Sequence, residues 1–128
     1  MSKYNNKKVV CNGITFDSIL EKNRYLFLHS KQNTGEIRGL ELQPKFILQE
    51  GFTTHCFVTK TGKESKIRPI TYSADFRYTN LKGETIIEDA KGFKTEVYKI
   101  KKKMILNMLR LEKDVMFREV KTATEDIG

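Results

Sequence analysis

Cysteine and histidine are both scarce in this sequence. The chain has two cysteines, Cys11 and Cys56, which form no C-x-x-C motif and have no neighbouring set of metal ligands. His55 and Cys56 are adjacent, so on a strand their side chains point to opposite faces, which argues against a zinc site. We assign no role to His29 or His55. Two isolated thiols are typical of a reduced cytoplasmic protein.

Long apolar runs are missing as well. No stretch approaches the roughly 20 apolar residues that span a bilayer, and the first residues, MSKYNN, lack the apolar segment of a signal peptide. There are no internal repeats and no low-complexity segments. The sequence therefore predicts a single domain over residues 1–128 without a membrane partner. It includes a basic arm at residues 1–8 and a frayed tail at residues 121–128.

Acidic residues are outnumbered by basic ones. The chain has 16 Asp and Glu against 24 Lys and Arg, which leaves a net charge of +8. This excess favours a polyanionic partner, most simply nucleic acid, although a basic surface can also serve solubility alone.

Local patterns predict the elements at the start of the chain. Asn12-Gly13 between two short apolar runs is typical of a tight β-hairpin. Asp17 or Ser18 can cap the helix that follows, with Glu21 three residues beyond Ser18 as in a capping box. This helix extends to about Gln32. Its expected apolar stripe consists of Ile19, Leu20, Leu26 and Phe27.

The rest of the chain alternates between strand and helix patterns. We expect strands at 37–43, 46–49, 67–78, 84–91 and 115–120, a hairpin within 50–66, and a helix over 95–111. The apolar arc expected on this second helix comprises Val97, Tyr98, Ile100, Met104, Ile105, Met108, Leu109 and Leu111. The order of elements predicts an α/β or α+β fold around one mixed sheet.

Asp75, Asp89 and Lys91 are the groups most able to carry chemistry. A hairpin centred near Lys82 places Asp75 opposite Asp89, and strand alternation puts Lys91 on the same face. Two carboxylates about 5 Å apart repel by roughly 3 kcal/mol at an effective dielectric of about 20, and a bound divalent cation reverses that repulsion. Mg²⁺ typically takes one or two carboxylates, water and substrate phosphate. The alternative is a solvated sheet face, on which Arg77 and Lys91 are ordinary ion-pair partners.

Two further acids belong near this patch. Glu21 lies near the edge of the first helix's apolar stripe, from which it can lean over the sheet face, although a capping role would explain it equally. Glu88 points to the face opposite Asp89, toward Phe76 and Tyr78. Either strand twist brings Glu88 toward a metal, or an unidentified basic group pairs with it.

A basic segment follows the D-x-K triplet. Between positions 91 and 103 there are six lysines and one acid. Helix N-terminal amides and lysines attract phosphate, so we expect this segment to contact a DNA backbone, with a solvated lysine face as the alternative. The expected contacts are Lys94, Thr95, Lys99, Lys102 and Lys103.

The acids and the lysine, taken in order, resemble the PD-(D/E)xK nuclease superfamily. The resemblance is carried by Glu21 on the first helix, Asp75 at the start of a hairpin, and Asp89 with Lys91 before a helix. More narrowly, the chain is similar to small phage-encoded endonucleases related to Holliday-junction resolvases. The similar stretches are SKY (2–4), GITFDS (13–18), LQPKF (42–46), YSADF (72–76) and EDAKGFKT (88–95). Ala74 stands where the superfamily has its proline, a residue that supplies no chemistry.

The resemblance implies a fold, a site and a partner. The fold is a restriction-endonuclease-like core, with a mixed β-sheet flanked by helices in the order αβββαβ. The site consists of Mg²⁺, or Mn²⁺ in its place, bound by Glu21, Asp75 and Asp89, with Lys91 at the phosphate and no small-molecule cofactor. The partner is DNA, with a four-way junction, a flap and plain duplex all left open, and the protein is a homodimer.

We therefore expect a metal-dependent endodeoxyribonuclease that hydrolyses phosphodiester bonds in branched DNA during recombination. One alternative is a DNA-binding accessory protein of the same fold with little or no activity. A second is a basic RNA-binding or ribosome-associated module, which leaves the clustered acids unexplained.

Overall fold

The computed structural model describes residues 8–91 and 93–127, and these form two α-helices and ten β-strands. The helices are α1, Ile19–Asn33, and α2, Glu96–Leu109. The strands are β1 Val9–Cys11, β2 Ile14–Phe16, β3 Ile37–Leu42, β4 Lys45–Gln49, β5 Phe52–Thr54, β6 Ser65–Ile67, β7 Ile70–Ser73, β8 Phe76–Asn80, β9 Thr85–Ala90 and β10 Val115–Val120.

A four-stranded sheet lies at the centre, with its strands in the order β10-β9-β8-β3. β9 and β10 are parallel, whereas β8 is antiparallel to both β9 and β3. The expected α/β class with a mixed sheet is therefore confirmed. Along the chain, the two helices and the four strands of this sheet follow in the order α1, β3, β8, β9, α2, β10.

Each face of the central sheet is covered by one helix. Neighbouring residues of β9 point to opposite faces and therefore pack against different helices. Ile86 packs into a cluster with α1, and Ile87 packs into a second cluster with α2. The first cluster contains Phe16, Tyr25, Leu28, Ile37, Phe76, Tyr78 and Ile86. The second contains Tyr72, Ala74, Ile87, Tyr98 and Ile105.

The start of the chain forms as its local signals predict. β1 and β2 are joined by Asn12 and Gly13, which have φ values of 52° and 77°, the left-handed region that a tight hairpin turn requires. Ser18, rather than Asp17, caps α1, and its hydroxyl accepts a hydrogen bond from the Glu21 N–H at 3.0 Å.

The apolar stripe predicted for α1 is only half right, because Leu20 and Phe27 are partly buried, with Phe27 against the first core cluster, but the other two members are not. Ile19 is 59 % exposed and Leu26 is 41 % exposed, whereas the buried residues of the helix are Glu21, Arg24, Tyr25 and Leu28. The pattern misleads because this face carries charged groups whose partners come from other elements. Apolar periodicity cannot identify such a face.

The apolar arc predicted for α2 is also only partly buried. Tyr98 and Ile105 face the sheet, but the other side of the arc is open to solvent. The exposed members are Val97 at 61 %, Ile100 at 59 %, Met108 at 42 % and Leu111 at 78 %. The helix also ends at Leu109, with Arg110 as its C-cap, so Leu111 lies beyond it.

Residues 45–73 form a two-stranded arm, here called the β-arm, inserted between β3 and β8. β4 pairs with β7 and, further out, β5 pairs with β6. The continuous strand predicted over 67–78 is therefore wrong. It is interrupted at Pro69, which has no N–H to donate, and again at Ala74-Asp75. The hairpin predicted within 50–66 is confirmed in the outer half of the arm.

The end of the chain is held against the body, although the sequence predicts a frayed tail from Lys121. The Arg24 guanidinium donates to the carbonyl of Ala123 at 3.1 Å, and Ile127 packs against the first core cluster. Most of the expected basic arm, residues 1–7, lies outside the described residues. Within the part of the chain that the structure describes, neither helix is long and apolar enough to cross a membrane.

Candidate metal and phosphate site

The hairpin of β8 and β9 places Asp75 beside Asp89. Phe76 pairs with Glu88, so one step further along the ladder brings Asp75 level with Asp89, as the sequence predicts. The Asp75 N–H donates to the Glu88 carbonyl at 3.0 Å, and the Ala90 N–H donates to Asp75 Oδ2 at 2.7 Å. The backbone of β9 therefore holds the Asp75 carboxylate against the strand that carries Asp89.

Asp89 is completely buried. Its Oδ2 accepts a hydrogen bond from the Tyr72 hydroxyl. Its Oδ1 has no hydrogen-bond partner among the described residues, although the Lys91 ammonium lies 3.2 Å away as an ion pair. A buried carboxylate oxygen without a hydrogen bond is costly, so this atom is positioned to take a further cation.

Asp75 is buried next to other negative charges. Burial, followed by the charges of Asp89 and Glu21, raises the pKa of Asp75 from its usual 3.8 to about 9, and the nearby Lys91 only partly opposes this. Carboxylates crowded into one dry patch do not all ionise unless positive charge is added. At neutral pH the Asp75–Asp89 pair therefore retains a proton that a divalent cation would displace.

Glu21 joins this pair from α1. It is 4 % exposed, and its Oε1 accepts a hydrogen bond from Gln43 Nε2 at 3.0 Å. Burial, and then the charge of Asp17, raises the pKa of Glu21, while the charges of Lys91 and Asp89 act in opposite directions on it. The structure thus brings all four residues expected to be catalytic, Glu21, Asp75, Asp89 and Lys91, into one electrostatically connected cluster.

Gln43 ties two parts of the cluster together, a role that the sequence does not reveal. It has a φ of 56°, which is uncommon for a residue other than glycine. In this conformation its N–H donates to the Asp75 carbonyl at 3.0 Å while its side chain reaches Glu21. The strained backbone therefore positions one acid through its side chain and another through the main chain.

Lys91 lies at the end of β9, where its N–H donates to the Val120 carbonyl at 3.3 Å. Its Nζ lies 5.4 Å from the centroid of the Tyr98 ring. Burial by itself lowers the pKa of Lys91, but the charges of Asp89 and Asp75 outweigh burial, and the net effect raises it. Lys91 is therefore an ammonium at neutral pH, suited to stabilising negative charge rather than to accepting a proton.

Glu88 is not part of this cluster, because it pairs with a base on the other face of β9. Arg24 Nε lies 2.7 Å from Oε1, and Arg24 Nη2 lies 2.6 Å from Oε2, with both side chains fully buried. The Tyr78 hydroxyl also donates to Glu88. Of the two alternatives open from the sequence, pairing with a basic group is the one that the structure shows.

The residues expected to contact DNA are spread along the start of α2. Thr95 is the N-cap and accepts from the Tyr98 N–H at 3.0 Å. Lys94 and Lys102 both pair with Glu119, at 3.3 and 3.1 Å, which sequence reasoning missed. Lys99 pairs with Glu96 at 3.2 Å, and Lys103 is exposed.

An open groove next to the cluster collects several of these lysines. It has a volume of about 540 Å³ and is lined by Lys91, Phe93, Lys94, Lys99 and Lys121. Lys91 belongs both to this groove and to the acidic cluster. A phosphate in the groove would therefore lie beside the carboxylate pair, while Lys102 and Lys103 are outside the groove lining.

The donor set fits Mg²⁺. No three His, Cys, Asp or Glu side chains in residues 8–91 and 93–127 come together as a ready-made metal cage. Mg²⁺ does not need such a cage, because it commonly takes one or two carboxylates and fills its octahedron with water and phosphate oxygens. Asp75 and Asp89 supply two carboxylates, and Asp89 Oδ1, which no described residue hydrogen-bonds and which Lys91 contacts only as an ion pair, is the clearest candidate ligand atom.

The fold and the cluster define an α/β protein with a buried carboxylate pair beside a lysine-lined groove. Residues 1–124 match the family described as "Protein of unknown function (DUF1064)", and the chain belongs to that family. No curated protein and no solved structure matches the chain.

Proposed function

We propose that this protein is a Mg²⁺-dependent DNA endonuclease of the PD-(D/E)xK type that acts on branched DNA. The observation that carries the proposal is the Asp75–Asp89 pair, two buried acids whose charge a single ammonium, that of Lys91, only partly offsets. An arrangement of this kind destabilises the fold unless something binds there. Mg²⁺ together with a phosphodiester supplies both the cation and the group that Lys91 can face.

Each residue of the cluster has a distinct part in this proposal. Asp75 and Asp89 hold the metal, and Glu21 lies beside them as a third acid that accepts from Gln43. When bound, Mg²⁺ offsets the carboxylate charges and polarises the phosphate. Lys91 stabilises the charge that develops on the phosphate oxygens, because its own pKa keeps it protonated.

The order of elements supports the finer assignment of the fold to a restriction-endonuclease-like core. The central strands and helices follow as α1, β3, β8, β9, α2, β10, with Asp75 just before β8 and Asp89 within β9. Ala74 replaces the superfamily's proline, and its N–H donates to the Pro44 carbonyl at 3.0 Å, a bond that proline could not make. The local backbone therefore accommodates alanine in place of the proline at this position.

DNA as the partner is supported by the lysine-lined groove and by the net charge of +8. In this proposal Lys94, Lys99 and the amides near Thr95 follow the phosphate backbone away from Lys91. Lys102 and Lys103 continue the basic surface along α2. Binding carried by such contacts weakens steeply as salt is raised.

We also propose that the protein is a homodimer. The support is the exposed apolar side of α2, where Val97, Ile100 and Met108 have no cover in the described chain, together with the exposed Leu111 just beyond the helix. Two active sites related by a two-fold axis would face opposed strands of a junction. Sedimentation of wild-type protein and of a Val97→Lys, Ile100→Lys variant tests this, and a wild-type monomer at micromolar concentration would refute it.

Cleavage assays test the nuclease proposal directly. Four-way junction, flap, linear duplex and single-stranded DNA are incubated with Mg²⁺ or Mn²⁺ and wild type, Asp75→Asn or Lys91→Ala. Lys82→Ala is the matched control, because Lys82 is exposed at the turn between β8 and β9, away from the cluster. We expect both site variants to lose cleavage by about 100-fold or more, as when one charge-stabilising donor is removed from other active sites.

Two results would count against this proposal. Equal cleavage by wild type, Asp75→Asn and Lys91→Ala would show that the site lies elsewhere. Salt-sensitive DNA binding by wild type with no cleavage in either metal would favour the alternative, a DNA-binding accessory protein with the same fold.

A further inference from the structure

The outer half of the β-arm projects from the body and takes no part in the site described above. The inner half of the arm, formed by β4 and β7, packs against α2. Phe46 of β4 stacks on Tyr72 of β7 with ring centroids 6.3 Å apart. β5 and β6 continue the arm outward from Phe52↔Ile67 to Thr54↔Ser65. The remaining residues, 55–64, form its end and are called the arm tip.

A close-packed joint connects the two halves of the arm. A Cβ on Gly51 would lie 2.9 Å from the Ile67 carbonyl oxygen and 3.1 Å from Pro69, so only glycine fits there without displacing the opposite strand. Pro69 on that strand removes one donor from the ladder. The direction of the outer half is therefore determined by backbone contact.

The arm tip presents two adjacent apolar side chains to solvent. Phe57 is 60 % exposed and Val58 is 85 % exposed. The loop that carries them is closed by its own hydrogen bonds, since the Gly62 N–H donates to the Thr59 carbonyl and the Thr59 hydroxyl donates to the Lys63 carbonyl, both at 3.1 Å. Phe57 and Val58 therefore directly precede a hydrogen-bonded turn over residues 59–63 at the end of the arm.

Basic residues are frequent in the part of the chain that carries this apolar pair. Lys60, Lys63, Lys66 and Arg68 lie on the outer half of the arm, against a single acid, Glu64, whose carboxylate pairs with His55 at 2.9 Å. Such charge complements a phosphate backbone on either side of an inserted apolar group. Proteins that kink or pry apart DNA combine these two features, an apolar wedge and flanking cations.

The length of the arm places this tip within reach of the same DNA as the cluster. Ser65 and Ser73 are eight positions apart on the returning side of the arm, so at about 3.3 Å per residue the arm extends up to roughly 26 Å from the start of β8 to Ser65, where the tip begins. DNA rises 3.4 Å per base pair, so a length of about 8 base pairs of duplex would match this span.

We propose that the arm tip is a wedge that inserts Phe57 and Val58 into the interrupted base stack at a DNA branch point. The inference rests on the proposed function for its partner, DNA, and adds how branched DNA is distinguished from linear duplex. Opening a base-pair step costs a few kcal/mol, and the cost is least where stacking is already broken. The tip therefore favours junctions and flaps over continuous duplex.

Binding of the full-length chain in EDTA tests the wedge without any cleavage. The substrates are a junction, a flap and a linear duplex, each with 2-aminopurine at the branch or the matching internal step. The variant is Phe57→Ser with Val58→Ser, and the matched control is Leu81→Ser, which removes a side chain that is 79 % exposed at another turn. We expect wild type and control to raise 2-aminopurine fluorescence at the branch and to bind branched DNA at least 10-fold more tightly than duplex.

The tip variant should lose both the fluorescence increase and the 10-fold preference, while binding linear duplex within about twofold of wild type. An unchanged preference in the tip variant, or a wild type without preference, overturns the wedge even if the protein cuts DNA. If wild type binds branched DNA through the tip yet cuts nothing with Mg²⁺ or Mn²⁺, the wedge stands and the nuclease proposal fails.

Discussion

Replacing Asp75 by Asn should stabilise the metal-free protein while abolishing its response to Mg²⁺. Asn keeps an oxygen that can accept from the Ala90 N–H, so the backbone contact at 2.7 Å survives. What is lost is the cost of crowding two acids, because in wild type Asp75 must either keep its proton well above its usual pKa or repel Asp89. Two charges at about 5 Å and an effective dielectric of about 20 repel by roughly 3 kcal/mol, which sets the upper end of that cost, and Lys91 already removes a part of it.

We therefore expect the free energy of unfolding to rise by about 1 to 3 kcal/mol at pH 8, or about 4 to 12 °C in Tm for a chain of this size. Wild type should gain about 2.7 kcal/mol when Mg²⁺ reaches 100 times its Kd, and Asp75→Asn should gain nothing. Thermal unfolding in EDTA and in a Mg²⁺ titration measures both effects. Glu112→Gln, an exposed carboxylate outside the cluster, is the control and should behave as wild type.

The stability difference between Asp75→Asn and wild type should also depend on pH. The folded-state pKa of Asp75 is raised, to about 9, so its contribution to stability is fully present below the unfolded pKa near 4 and is lost as pH rises toward 9. The stability gained by Asp75→Asn relative to wild type should therefore grow between pH 5 and pH 9 in EDTA. A variant that is less stable than wild type across this range, or that keeps a Mg²⁺ shift, would refute the assignment of Asp75 as a strained metal ligand.

Three further predictions follow from contacts around the site. Arg24→Met leaves Glu88 buried without its cation and should cost about 3 to 5 kcal/mol in urea unfolding, whereas a loss below 1 kcal/mol would mean that the pair is dispensable. Gln43→Gly relieves the positive φ but frees Glu21, so it should keep the Tm within a few degrees while lowering kcat about 10-fold or more in the junction assay. Retained kcat would show that Glu21 needs no positioning. Gly51→Ala redirects the outer arm, so it should lower cleavage of junctions but not of linear duplex, and equal loss on both substrates would contradict this.

The alignment of the acids was predictable because it depends on local rules. Strand alternation and a glycine-containing turn determine which residues of a hairpin lie opposite each other, so Asp75 and Asp89 could be paired from sequence alone. The same holds for the Asn12-Gly13 turn and for a cap at Asp17 or Ser18, of which the structure shows Ser18.

Partners that come from distant parts of the chain were not predictable. Arg24 and Glu88 are 64 positions apart, and nothing in the pattern of α1 marks an arginine as one of its two fully buried residues. The role of Gln43 likewise depends on a left-handed backbone conformation, which a glutamine in the sequence does not predict. Glu119 forms ion pairs with both Lys94 and Lys102. Its position in the sequence indicates only an ordinary strand residue, because these pairs depend on the packing of β10 next to α2.

The amino-acid sequence by itself determined the chemistry that is present: two aspartates in hairpin register, a lysine two positions beyond the second, and a basic segment after it. Spacing along a strand and the geometry of a turn suffice for that, because both act over a few residues. Only the tertiary structure decided the environment of those groups, since burial depends on what α1, the β-arm and β10 bring against them. That environment raises the pKa of Asp75, leaves Asp89 Oδ1 without a hydrogen bond from any residue that the structure describes, and pairs Glu88 with Arg24 on the opposite face of β9.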